Sequence, residues 1–255
     1  MFQLAIINAM NNNAASSLAS GQHEMEAIEL LRESLDVLSD MSNNTSKESS
    51  GEEEMIHPKF NSIGPPIDGT FVSPIVNTIH HGLSYPSDSF IYNNGLVLTL
   101  RGSACDDRDI AIMSATVIYN MALAHHRMAL SSPKSQFRGG WIFKATTFYQ
   151  QAIELSLIDI QLVQQRNGGV AGDHHHDATI TIAMASYNNL GQINFDLLSD
   201  HDAARRCFES LSYLIQCSRL LESQEKSPFT PEDWEGILSN LAFVTILTAT
   251  VAAAA

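Results

Sequence analysis

The string Asp-His-His-His-Asp at residues 173–177 contains the side chains best suited to hold a metal ion. Imidazole and carboxylate groups are good ligands for zinc or nickel. Neighbouring residues cannot all point at one ion, so a site would need a further ligand such as His201 or His125. The aspartates also suit the start of the following helix, which they can cap. We therefore expect an exposed loop without metal, and the alternative is a metal-dependent enzyme with candidate ligands His174, His175 and His176.

Nothing else in the sequence carries a catalytic signature. The glycine-rich run at residues 168–172 is not followed by the Lys-Ser/Thr of a phosphate-binding loop, and neither Gly-x-Ser-x-Gly nor His-Glu-x2-His occurs. His125 and His126 fall near the end of a predicted helix, where they favour its dipole. We expect no enzymatic activity and no cofactor.

The chain is acidic, with a formal net charge of −14 over 255 residues. Ten of its 28 acidic residues lie between Gln22 and His57, where Arg32 and Lys47 are the only basic residues. Such a surface repels phosphate backbones and anionic lipids. We expect neither nucleic acid nor a membrane as partner, but a protein or peptide with basic or apolar anchors.

Cysteine usage and the N-terminus bear on localisation. Cys105, Cys207 and Cys217 are odd in number and widely spaced, which indicates reduced thiols rather than disulfides or a zinc site. The apolar run at residues 2–7 has no Lys or Arg before it, so we expect no signal peptide. These features predict a cytoplasmic protein, with the nucleus as the alternative.

The first hundred residues divide into three parts. Residues 1–40 have helical periodicity and predict a helix pair, whereas residues 41–56 are rich in Ser, Asn and Glu and predict a disordered acidic linker. Ser49 and Ser50 each precede a Glu by three residues, which suits an acid-directed kinase. Residues 57–106 hold five of the eight prolines and several β-like runs. We expect an extended insertion that packs on the helices, with one short β-hairpin turning at the dipeptide Asn94-Gly95.

Residues 107–255 return to helical periodicity. Pro133 and the pair Gly139-Gly140 predict a loop, residues 199–202 a short break, and Thr230 a cap before Pro231 at the first turn of the last helix. The predicted helices are 110–129, 141–165, 177–198, 202–221 and 233 to the end.

The final helix has two interpretations. Residues 236–255 contain no charged side chain and are long enough to span a membrane. Ser239, Asn240 and the acidic flank at 232–235 argue against a span. We expect a buried terminal helix, and the alternative is a tail-anchored membrane adaptor.

A small signature recurs in four of the predicted helices. Around Gly191 it is followed by a helix that carries Ala204 and Phe208, where small residues let two helices approach and Phe208 wedges between them. The four copies are Asn13-Ala14-Ala15, Asn120-Met121-Ala122, Asn189-Leu190-Gly191 and Asn240-Leu241-Ala242. Three are followed by a matching second helix, which carries Ala27 and Leu31, Ala145 and Tyr149, or Ala204 and Phe208.

This alternation resembles the tetratricopeptide repeat, which pairs a Leu-Gly element on its first helix with an Ala-x3-aromatic element on its second. The copies are spaced irregularly, unlike the period of about 34 residues in a regular array. The stretch 120–126 also resembles uncharacterised helical proteins of single-celled algae. This second resemblance gives no information about activity.

The resemblance implies an all-α superhelix of antiparallel helix pairs, with residues 107–255 as irregular repeats and the last helix as a cap. It also implies a non-catalytic protein–protein interaction scaffold that binds a peptide or partner helix in a groove lined by the first helices. Candidate groove residues, polar on otherwise apolar helices, are Asn120, Arg127, Lys144, Asn188 and Asn194.

Overall fold

The computed structural model describes residues 2–21, 23–48, 71–74, 90–99, 107–131, 136–167, 174–217 and 229–254. These residues are mainly helical, as the sequence predicts. The helices are α1 (Phe2–Ser20), α2 (Glu24–Glu48), α3 (Asp107–Ser131), α4 (Arg138–Asn167), α5 (His174–Gln192), α6 (His201–Cys217) and α7 (Pro231–Ala254). Two short strands, β1 (Phe71–Pro74) and β2 (Leu96–Thr99), accompany them.

Each helix packs against the helix that follows it in the chain. Helix α3 also contacts both α1 and α5, so these three helices lie side by side. Strand β2 contacts α1 and α3. The apolar residues buried between the helices form one core, which includes Tyr92, Leu96 and Leu98 from the extended segment. The fold thus places an extended piece of chain within the helical body.

Gly191 and Phe208 hold the α5–α6 pair together as the sequence predicts. A Cβ on Gly191 would lie 2.7–3.0 Å from the Phe208 ring, which is closer than real Cβ atoms come. Phe208 is buried and Ala204 beside it is buried as well. Glycine is therefore required at residue 191 by close approach, and the predicted wedge is confirmed.

The connection between α5 and α6 has its own local geometry. Residues Ile193–Leu197 form a π-helical turn, and Ser199 takes a left-handed conformation with φ of 55°. The Asp200 carboxylate then accepts a hydrogen bond from the Ala203 N–H (2.9 Å), which caps the start of α6. The break predicted at residues 199–202 is thereby shortened to the residues just before His201.

Helix α7 begins with a reciprocal cap. The Thr230 hydroxyl accepts from the Asp233 N–H (3.1 Å), and the Asp233 carboxylate accepts from the Thr230 N–H (3.0 Å). Pro231 occupies the first helical position, so this predicted helix start is confirmed. None of the described helices is long and apolar enough to cross a membrane.

Three predicted boundaries are wrong. Helix α2 continues to Glu48, so it takes in the first part of the predicted linker. Ser and Asn permit this because each costs a helix no more than about 0.7 kcal/mol. Gly139 and Gly140 lie in the first turn of α4 rather than in a loop. His174, His175 and His176 form the first turn of α5 rather than an exposed loop.

The predicted turn at Asn94-Gly95 is also wrong. Strand β2 pairs antiparallel with β1, in the register Phe71 to Thr99 and Pro74 to Leu96, and not with residues 90–93. A tight type I′ turn needs positive φ at both central residues. Among the described residues only Ser199 and Gly21 have positive φ. Residues 90–95 therefore continue in one direction into β2.

Candidate functional site

The extended segment at residues 90–99 crosses four helices of the fold. Its polar contacts run from α7 at Phe90, through α5 at Tyr92 and α3 at Leu96, to α1 at Leu98. Tyr92, Leu96 and Leu98 are buried, whereas Thr99 is exposed. We call the surface of α1, α3, α5 and α7 that contacts this segment the groove.

Asparagines of α7 and α5 hold the first half of the segment by its backbone. The Asn240 amide oxygen accepts from the Phe90 N–H (2.8 Å), and its amide nitrogen donates to the Phe90 carbonyl (2.7 Å). Asn189 makes the same pair of bonds with Tyr92 (2.8 and 2.9 Å). Each side chain therefore satisfies both polar groups of one residue.

Asparagines of α3 and α1 repeat this arrangement in the second half. Asn120 accepts from the Leu96 N–H and donates to the Leu96 carbonyl, both at 2.8 Å. Asn12 makes the equivalent bonds with Leu98 (2.7 and 2.8 Å). Four helices thus each supply one asparagine for one residue of the segment.

The spacing of the bonded residues follows from extended geometry. In a strand, every second residue directs its N–H and C=O to the same edge. Residues 90, 92, 96 and 98 obey this rule, and the Tyr119 hydroxyl shares its one proton between the carbonyls of Tyr92 (3.3 Å) and of Asn94, the omitted residue (3.4 Å). The last four residues of the segment, which form β2, also pair with strand β1. The asparagine amides therefore bond the segment as a neighbouring strand would.

Two further asparagines, Asn188 and Asn11, fix the orientation of Asn240 and Asn120. The Asn240 amide nitrogen donates to the Asn188 amide oxygen (2.8 Å), and the Asn120 amide nitrogen donates to that of Asn11 (2.9 Å). Asn188 and Asn11 also donate to the carbonyls of Phe90 (3.2 Å) and Leu96 (3.0 Å) respectively. These contacts connect α5 to α7 and α1 to α3 at the level of the segment.

At two glycines the groove and the segment lie too close together for a side chain. A Cβ on Gly95 would lie 2.9 Å from Ala15 Cα and 3.0 Å from Ala15 Cβ. A Cβ on Gly236 of α7 would lie 2.2 Å from the nearest Phe90 ring atoms. Gly95 belongs to the segment and Gly236 to the groove, so each surface has a glycine where the other comes close.

Tyr92 occupies an aromatic pocket. Its ring meets Phe229 edge to face at a centroid distance of 5.1 Å, and Phe229 meets Trp234 at 5.4 Å. Burial, followed by the negative charge of Asp233, raises the pKa of Tyr92 well above 10.0. The Tyr92 hydroxyl is therefore neutral at physiological pH.

Two neutral rings lie beneath Asn189. Asn189 donates to the Tyr149 hydroxyl (3.0 Å), which lies 3.5 Å from His126 Nδ1. Burial raises the pKa of Tyr149 above its ordinary value and lowers the pKa of His126 to about 4. Amides and neutral rings of this kind suit the recognition of a peptide backbone, which is itself neutral.

The structure places the five predicted groove residues in different environments. Asn120 and Asn188 contact the segment. Arg127 is buried away from it, where its guanidinium donates to the Leu18 carbonyl and lies 3.4 Å from the Glu24 carboxylate. Arg127 therefore ties α3 to the end of α1 and the start of α2.

The other two predicted residues also lie away from these contacts. Asn194 is in the π-helical turn and donates to the Cys207 thiol (3.7 Å). That thiol is free and buried, and burial raises its pKa to about 11. Lys144 is exposed on α4. Polarity on an apolar helix was thus an insufficient criterion for choosing groove residues.

Sequence reasoning missed most of the backbone contacts. The missed residues are Asn11, Asn12, Tyr119, Asn189 and Asn240. The repeat signature already contained Asn189 and Asn240 but was interpreted as helix packing. In α1 the signature was placed on Asn13, which is exposed, whereas Asn12 makes the contact. The recurrence of asparagine in several otherwise apolar helices was the available signal, because a polar side chain that faces the core must find partners.

The alternative metal site receives no geometric support from the described part of the chain. Within it, no group of three or more His, Cys, Asp or Glu side chains is arranged to hold a metal ion. The side chains of His174, His175 and His176 lie outside what is described, as do Ser49 and Ser50. Comparison of the chain with protein-family models, curated proteins and solved structures finds no match.

Proposed function

We propose that the protein is a non-catalytic interaction scaffold of tetratricopeptide-like, superhelical architecture whose groove binds an extended peptide of a partner protein. The single observation that supports this function is the row of four asparagines that hold the backbone of residues 90–98. Backbone hydrogen bonds of this kind provide affinity in peptide recognition by strand addition, while side-chain pockets provide specificity.

The character of the groove favours a peptide with apolar anchors. Its hydrogen bonds to the segment backbone come from neutral side chains, and the segment buries Tyr92, Leu96 and Leu98 against it. A charged contact comes from the Asp233 carboxylate, which accepts from the Asn94 side chain (3.4 Å). A charged anchor at position 96 or 98 would lose its hydration without gaining a partner. The acidic surface elsewhere would favour basic residues outside the groove.

A partner peptide must take the place of residues 90–99. The test therefore begins with a variant in which these residues cannot bind in the groove. Gly95→Val serves this purpose because the added side chain would collide with Ala15. A displayed library of unstructured peptides is selected on this variant, after circular dichroism has verified that its helical content matches that of the natural chain.

The selected peptides are then measured against two further substitutions in the same chain. Asn240→Ala removes both bonds to residue 90, whereas Asn13→Ala alters an exposed asparagine of α1. The proposal expects affinity to fall about tenfold or more with Asn240→Ala, since two hydrogen bonds contribute about 1–3 kcal/mol, and to be unchanged with Asn13→Ala. A folded Gly95→Val chain that selects no peptide, or peptides insensitive to Asn240→Ala, would exclude this function.

A further inference from the structure

We propose that residues 90–99 are the chain's own copy of the ligand, and that the groove selects partner peptides with the same side-chain pattern. That pattern is aromatic-x-aromatic-x-x-Gly-Leu-x-Leu, from Phe90 to Leu98. The inference rests on the proposed function, and it adds the chemistry of the partner and the competition that controls access to the groove.

Glycine is the most restrictive position of the pattern. At Gly95 a Cβ would lie 2.9 Å from a backbone atom of α1, the Ala15 Cα. A helix backbone cannot move aside as the end of a flexible side chain can. The Gly95 backbone has no positive φ, so its conformation would admit other residues and close approach alone requires glycine.

The aromatic positions are set by complementary surfaces. The Phe90 ring lies over Gly236, where only the absence of a side chain leaves room for it. Tyr92 fills the pocket formed with Phe229, whose own ring packs on Trp234. Aromatic pairs in such edge-to-face arrangements contribute beyond the area that they bury. An aliphatic or polar residue at position 92 would leave this pocket partly empty.

The two leucines are recognised both by burial of the side chain and by hydrogen bonds to the backbone. Leu96 and Leu98 are fully buried, while their N–H and C=O groups are bonded by Asn120 and Asn12. Because these residues share an edge with positions 90 and 92, the peptide must remain extended to satisfy all four asparagines. The recognised ligand is therefore an extended peptide, and a helix would not fit.

Occupation of the groove by an attached segment makes access competitive. A covalently linked copy competes at an effective concentration that reaches about millimolar for short flexible linkers. A partner peptide must bind the groove tightly enough to displace residues 90–99, or bind when some other change weakens the hold of the groove on these residues. The segment thus acts as an autoinhibitory ligand.

The test uses a fluorescent peptide of residues 89–99 and the full chain. We expect the peptide to bind the Gly95→Val chain and to bind the natural chain about 100-fold more weakly, because only the natural chain retains its competitor. A peptide with Gly95→Val should bind the variant chain about 10- to 100-fold more weakly than the natural peptide, as expected for overpacking. A peptide with Thr99→Val is the matched control and should bind unchanged, since Thr99 is exposed.

Equal binding of the natural peptide and the Gly95→Val peptide, or equal affinity of the two chains for the natural peptide, would overturn the inference. If the Gly95→Val chain does not fold, the Gly236→Ala chain replaces it. That chain should prefer a Phe90→Ala peptide over the natural peptide by about tenfold, because the removed ring leaves room for the added methyl group. No preference, or the opposite one, would equally refute it.

These outcomes are distinguishable from failure of the proposed function. A folded variant that binds library peptides through Asn240 but ignores residues 89–99 would retain peptide binding and refute the proposed pattern. A folded variant that binds neither would refute both.

Discussion

An asparagine side chain carries the same donor and acceptor as a peptide unit, so it can bond both groups of one residue in an extended chain. This matters most at Asn189, which bonds Tyr92 and also donates to the Tyr149 hydroxyl. Asparagine is unfavourable inside a helix by about 0.7 kcal/mol relative to alanine. Its presence in α5 is therefore compensated by the bonds that it makes.

Replacement of this residue should be costly. Asn189→Ala leaves the buried Tyr92 N–H without its partner, while the Tyr92 carbonyl keeps the Tyr119 hydroxyl as a donor (3.3 Å), and an unsatisfied buried group costs about 1–3 kcal/mol. We expect the free energy of unfolding to fall by about 1–3 kcal/mol, measured by urea titration. Asn13→Ala is the matched control: Asn13 is exposed in the middle of α1, so its replacement should cause no loss and should stabilise the helix by up to about 0.7 kcal/mol. Similar losses for both variants would contradict this role for Asn189.

His126 should make stability depend on pH. Burial lowers its pKa from 6.5 to about 4 in the folded chain, so the unfolded chain takes up a proton first as the pH falls. The stability that depends on neutral His126 is complete above about pH 6.5 and is lost progressively as the pH falls towards 4. The loss approaches about 3 kcal/mol, because each unit of pKa difference corresponds to about 1.4 kcal/mol.

The measurement is urea unfolding at pH 7.0, 6.0 and 5.0. The His126→Gln variant is the comparison, because an amide has no charge to gain over this range. We expect the variant to lose less stability than the natural chain between pH 7.0 and 5.0. Parallel losses in the two proteins would show that His126 does not cause the dependence.

At the scale of elements, glycines that all lie within helices differ in whether packing requires them. Gly139 and Gly140 lie in the first turn of α4, where a Cβ on either would meet no atom within 4 Å, whereas Gly191 in α5 lies against the Phe208 ring. Gly139→Ala and Gly140→Ala should each stabilise the protein by about 0.5–1 kcal/mol through lower backbone entropy of the unfolded chain.

Gly191→Ala is the contrasting substitution, measured by the same urea titration. It should destabilise by about 1–3 kcal/mol because its methyl group overpacks the α5–α6 contact. A destabilised Gly139→Ala variant, or a Gly191→Ala variant as stable as the natural chain, would contradict the packing described for these helices.

The helices were largely predictable, whereas the course of residues 90–99 and the partners of their backbone were not. Local periodicity and caps identified most helices and the start of α7 at Thr230 and Pro231, because these signals act within a few residues. The dipeptide Asn94-Gly95 instead suggested a turn, since the close approach of Ala15 that requires Gly95 is a contact between distant parts of the chain. Backbone partners of residues 90–98 come from four helices and leave no local pattern.

At the scale of the whole molecule, asparagines of α1, α3, α5 and α7 bond the same extended segment. The sequence showed a recurring asparagine, and two of the groove residues that it predicted, Asn120 and Asn188, contact this segment. It could not identify their partner, because no spacing within a helix shows that the side chain faces another segment. The same limitation assigned Arg127 to the groove, although its charge is buried between α3, Leu18 and Glu24.

The central claim is that the groove accepts an extended peptide in place of residues 90–99. Hydrogen exchange of the isotopically labelled natural chain, with and without an excess of unlabelled peptide 89–99, tests it most directly. We predict that the Tyr92 and Leu96 amides, protected by Asn189 and Asn120, lose protection when the peptide is added, while amides within α3 and α5 keep theirs. Protection of Tyr92 and Leu96 that does not change with peptide, even at saturating concentration, would contradict the claim and make the segment a permanent part of the core.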